Sequence, residues 1–151
     1  MRYPPLILIG ANQVFGALLI AQAHLFTPGV REPSLIFMLL ALIVASLSGF
    51  AGLSLIRGNS MGRALSLVLQ AVQVVGAASP SFSLRLELGV KVTAEVSSRG
   101  MMTHWGFAGL YGIWPIGGAQ ELTVFFNAVA IVAFVYLWRT RPQGKPIEGA
   151  A

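Results

Sequence analysis

The sequence predicts an integral membrane protein, mainly α, built as a bundle of four transmembrane helices with an outward-facing β-hairpin inserted between the third and fourth. Three observations carry that expectation. Apolar residues make up 56% of the 151-residue chain and charged residues only 10%, more apolar surface than one water-soluble core of this size can bury. The excess is gathered into four runs of near-membrane length, at 6–26, 35–56, 64–79 and 122–138. Between the last two, residues 82–114 leave helical spacing for strict alternation.

The first run, Leu6 to Phe26, approaches the ~20 residues that a hydrocarbon core of roughly 30 Å requires. Pro4-Pro5 and Pro28-Gly29 punctuate its ends. Arg2, the apolar stretch and Ala21-Gln22-Ala23 also resemble a secretory signal with a small-x-small cleavage site. Asn12 and Gln13 in mid-run argue against cleavage, as does the continuation through Leu25-Phe26. The second run, Leu35 to Ile56, holds no charge and is closed by Arg57-Gly58-Asn59. The short link from Arg57 to Arg63 fits an antiparallel helical hairpin. Pro80 stops the third run, Ala64 to Ser79, and Arg139-Thr140-Arg141-Pro142 stops the fourth, Leu122 to Trp138. The tail 139–151 is expected to be unstructured and cytoplasmic.

Within 82–114, Phe82, Leu84, Leu86, Leu88, Val90, Val92, Ala94 and Val96 share one parity, and Ser83, Arg85, Glu87, Gly89, Lys91, Thr93 and Glu95 share the other. That is the period of a strand with one dry face. Ser97-Ser98-Arg99-Gly100 reads as a turn, after which Trp105, Phe107, Tyr111 and Ile113 resume a common parity. The register that keeps all apolar side chains on one face sets Val96 opposite Met101, Val92 opposite Trp105, Val90 opposite Phe107, Leu88 opposite Gly109, Leu86 opposite Tyr111 and Leu84 opposite Ile113. The uncharged run 100–119 offers a re-entrant loop or a fifth span as rivals. Its glycines and Pro115 argue against a regular helix.

Basic residues set the orientation. Arg2, Arg57, Arg63, Arg139, Arg141 and Lys145 fall on one side of a four-span arrangement, so both termini are expected in the cytoplasm of a cell with the chain in its cytoplasmic (inner) membrane. The net charge of +5 therefore needs no nucleic-acid partner. The absence of cysteine excludes disulfides, thiolate metal sites and Fe–S ligation. His24 and His104, the only histidines, make a poor metal site without supporting ligands. No nucleophile elbow, phosphate loop, zinc-protease motif or dinucleotide fingerprint occurs, so no enzyme activity, cofactor or small-molecule substrate is expected.

The candidate functional residues are of two kinds. Gly62, Ser66, Gln70, Gln73 and Ala77 lie on one face of the third run, and Gln13, Gln70, Gln73 and Asn127 are the candidate intramembrane polar contacts. Gln73 and Asn127 are expected at equal depth and paired. Glu121 is placed near His24. The second kind is the dry face of the hairpin, with Leu86, Val90, Val92, Trp105, Phe107 and Tyr111 as the candidate interaction face. A two-stranded ribbon with such a face needs a cover. The expected function is thus a structural, assembly or interaction subunit that meets the bilayer and either a second copy or another membrane protein. A channel or transporter component lined by the Gln face is the alternative.

Overall fold

The structure is a computed structural model that describes residues 4–25, 35–81, 83–114 and 121–140. Over these the chain forms four helices and a four-stranded antiparallel sheet, in the order α1 (Pro4–Leu25), α2 (Leu35–Ile56), α3 (Ser60–Val74), β1 (Val75–Ala78), β2 (Ser83–Ser97), β3 (Gly100–Trp114), β4 (Thr123–Asn127) and α4 (Ala128–Arg139). Two stretches of helix, Pro4–Ala23 and Met38–Ile56, are long and apolar enough to cross a membrane.

α1 and α2 pack antiparallel. Gly10 lies on the Gly52 backbone, Ser48 Oγ donates to Gln13 O at 3.0 Å, and Ile20 packs on Ala41. The link to α3 is tighter than expected, because Asn59 accepts from Met61 N at 3.0 Å and starts the helix at Ser60 rather than Ala64. At the far end of the molecule from the sheet, Leu55, Leu67 and Leu137 form a small core, and Arg63 of α3 hydrogen-bonds Thr140 beyond α4.

The helical expectation for 64–79 and 122–138 needs correction. α3 stops at Val74 and the chain runs on as β1, while the fourth run begins as β4 and turns helical only at Ala128. Val74, Val75, Val124, Phe125 and Phe126 are β-branched or aromatic and fit a pleated surface, and Gly76 weakens the helical alternative. Pairing decides the matter. β1 and β4 match from Val75↔Phe126 to Ala78↔Thr123, and each also finds β2, β1 at Leu84 and β4 from Thr93 to Val96. Asn127 then caps α4, its Oδ1 accepting from Val129 N at 3.1 Å and Ala130 N at 3.3 Å.

β2 and β3 pair without interruption from Ser83↔Trp114 to Ser97↔Gly100, in the register expected from the alternation. The ribbon is not straight, however. β1 and β4 are each antiparallel to part of β2, so a straight β2 would make them parallel to one another, yet they are antiparallel. The two ends of β2 therefore run in opposite senses, and the ribbon folds back on itself between Leu84 and Thr93. One hydrogen bond gives the scale. Thr93 Oγ1 lies 3.1 Å from Glu87 Oε1, whereas six residues of straight strand would separate the two by about 20 Å. The bend rests on the flank of α1, where Leu88 joins Ile20 and Ala41 in a core backed by Leu86, Val44 and Ala45.

Candidate functional site

The bend is organised by Gly89. Its φ of +79° is a left-handed conformation that side chains avoid, and it sits against Asn12 with Gly16 across from it on α1. A Cβ at Gly16 would fall 2.6 Å from Gly89 N. On the edge of β2 away from β3, the bend lies between the stretches paired with β1 and β4, and its backbone groups there need other partners. Two amide side chains supply them. Val90 N donates to Asn12 Oδ1 at 2.6 Å, Asn12 Nδ2 donates to Leu88 O at 3.4 Å, and Leu88 N donates to Gln73 Oε1 at 3.1 Å.

Inside the bend lies a buried ion cluster. Glu87, only 2% exposed, accepts from Arg85 at 2.7 Å on one oxygen and from Lys91 on the other, with Thr93 as a further donor. The Arg85 guanidinium also lies 3.9 Å over the Phe125 ring of β4, a cation–π contact. Both arms of the ribbon and β4 thus converge on one carboxylate. Towards the turn, His104 Nε2 faces Glu95 at 3.3 Å across β2 and β3. The turn itself reaches Glu121, which contacts Ser98 and lies 3.3 Å from Arg99; the expected partner His24 has a side chain outside the described ones.

The expected polar contacts are all buried, but they connect differently. Gln13 is fully buried and takes Ser66 Oγ on its Oε1 at 2.8 Å, linking α1 to α3. Gln73 does not pair with Asn127 as expected. Its Nε2 donates to Leu69 O and its Oε1 serves the hairpin, while Asn127 Oδ1 caps α4. The reason is competition: the Leu88 N–H of β2 takes the Gln73 oxygen, and the first N–H groups of α4 take the Asn127 oxygen. Gln70, 3% exposed, makes no hydrogen bond among the described residues.

The expected interaction face divides at Gly89. On the first arm Leu86 turns in against the helices. Beyond the bend Val90, Val92, Val96, Met101, Trp105 and Phe107 all point outward, Trp105 being 85% exposed. The Tyr111 side chain lies outside the described ones. Phe107 meets α1 in an edge contact with Phe15, their ring centroids 5.5 Å apart. Sequence reasoning missed Asn12 and the burial of Glu87. A lone glycine inside a strand pattern is the usual mark of close backbone approach, and Gly89 flanked by Glu87 and Lys91 carried that signal.

Asn12→Ala is expected to lower unfolding stability by about 1–3 kcal/mol for each backbone group left unpaired at Leu88 and Val90. Denaturant titration in detergent micelles, followed by circular dichroism, measures it. A loss below about 0.5 kcal/mol, the bottom of the hydrogen-bond range, would remove Asn12 from the bend's support.

No protein-family model, curated protein or solved structure matches the chain.

Proposed function

We propose that the chain is a small integral membrane protein of the cytoplasmic membrane, with both termini cytoplasmic, that works as an assembly subunit through the outward face of its hairpin. The observation that carries this is the inverted polarity of the ribbon around and beyond Gly89. Glu87 and Thr93 lie inside while Val90, Val92, Val96, Trp105 and Phe107 lie outside, the arrangement favoured when the surrounding medium is hydrocarbon rather than water.

Length supports the same placement. α3 is only about 22 Å long and α4 about 18 Å, but α3 with β1, and β4 with α4, each reach about 35 Å. That exceeds the roughly 30 Å of a hydrocarbon core. The four spans are then α1, α2 and two helix–strand composites. The ribbon dips beside them to the level of Asn12 and returns, with Ser98 and Arg99 back at the outer end near Glu121.

A lipid-facing ribbon has an unmet need. Among the described residues β3 pairs with β2 on one edge and with no strand on the other. Each unpaired backbone group in hydrocarbon costs several kcal/mol, roughly 2–7 on transfer scales. β3 from Gly100 to Trp114 also holds no Lys, Arg, Asp or Glu and no proline, the usual guards of an open edge. A second copy or another membrane protein that supplies a covering surface meets this need. In native membranes the wild type is expected to crosslink into a complex at Trp105 and Phe107. The Trp105→Ser/Phe107→Ser variant should insert normally yet lose the complex. A wild type that stays monomeric and captures nothing would end the assembly reading and leave the ribbon as a cover for its own helices.

A further inference from the structure

We infer that a groove between α1 and α4 binds a neutral, membrane-soluble molecule through a carbonyl oxygen, held by the side-chain amide of Gln70. α1 packs on α2 and the hairpin while α4 packs on α3, which leaves the two helices as facing walls. The space between them is about 480 Å³, within the range of small-molecule sites. Leu8 and Ile9 form one wall, Val129 and Val132 the other, and Val92 of the hairpin closes one end. Among the lining residues none is charged, so an ionised ligand would find no counter-charge.

Gln70 points to the ligand's chemistry. Its neighbours on the same face of α3 are engaged, Ser66 with Gln13 and Gln73 with Leu88. Gln70 is 97% buried, lines the groove and has no partner among the described residues. The little surface that Gln70 keeps opens into the groove, and an oxygen delivered there meets its N–H donors. Gln70 also lies about 15 Å along α3 from Ser60, near the middle of the bilayer in the arrangement proposed above. Phospholipid head groups do not reach that depth, so the oxygen must come on a lipophilic molecule.

This inference rests on the membrane placement and not on the assembly reading, although Val92 belongs to both surfaces. The probe is benzophenone, an apolar ketone that couples to neighbouring C–H bonds on irradiation, added to liposomes holding the full chain. Flotation with the liposomes first checks the placement. Labelling mapped by mass spectrometry is expected to saturate at Leu8, Ile9 and Val132. Gln70→Leu should raise the half-saturating concentration about three- to tenfold, as for one lost hydrogen bond. Val132→Trp, which narrows the groove and keeps Gln70, should suppress labelling of Leu8 and Ile9. Labelling that never saturates and covers the exposed Leu18, Leu39 and Val68 equally would overturn the site. So would unchanged labelling in both variants, or a groove that labels after purification but is blocked in native membranes by a covering protein.

Discussion

Glu87→Gln is expected to cost about 3–5 kcal/mol of stability, towards the lower end because its cationic partners keep some solvent contact. The carboxylate is the point where Arg85, Lys91 and Thr93 meet, and its side chain is 3% exposed against 20% for Arg85 and 18% for Lys91. An amide keeps the shape and loses the charge, leaving two partly buried cations to repel each other. Removing the whole cluster should be milder. In Arg85→Met/Glu87→Leu/Lys91→Met no charge is left uncompensated, and replacement of buried ion groups by apolar side chains is often neutral or stabilising. Equilibrium unfolding in micelles compares the three proteins. If Glu87→Gln and the triple variant unfold together with the wild type, the cluster does not hold the bend.

Gly89→Ala is expected to be the most damaging single methyl addition in the hairpin. Left-handed backbone costs an alanine about 1–2 kcal/mol, and the new methyl would press on the backbone and side chain of Asn12, where overpacking adds about 1–3 kcal/mol. Gly100→Ala is the matched control. Gly100 also has positive φ, +119°, but no atom lies within 4 Å of where its Cβ would be. Only the backbone contribution applies there. Equal losses for the two variants, read from the same unfolding transition, would show that the α1 contact contributes nothing to the bend.

The two results bear on one mechanism. Asn12, Gln73 and Glu87 satisfy the groups that a bent ribbon exposes, and Gly16 lets α1 approach it. Amide side chains that would ordinarily join helix to helix in a membrane are here used by the hairpin backbone.

Much of this was legible in the sequence by itself. Hydropathy marked the second helix, Leu35–Ile56, with its observed bounds, because an apolar run between charged ends has few other folds. Alternation and the Ser97–Gly100 turn determined the whole β2–β3 register, since a slip of one residue moves every side chain to the other face. Tertiary structure decided the rest. Alternation says that two faces differ without saying which medium each will meet, so the inward turn of Glu87 and the outward turn of Val92 followed only from where the ribbon was laid. Val75 and Phe125 lean towards strand by propensity, but within long apolar runs that lean is weak, and the presence of a pairing edge chose strand. The fold-back brings Thr93 onto Glu87 by a contact that local spacing forbids in a straight strand. Propensity and periodicity act over a few residues, while the partners that fixed these choices came from α1, α3 and β4.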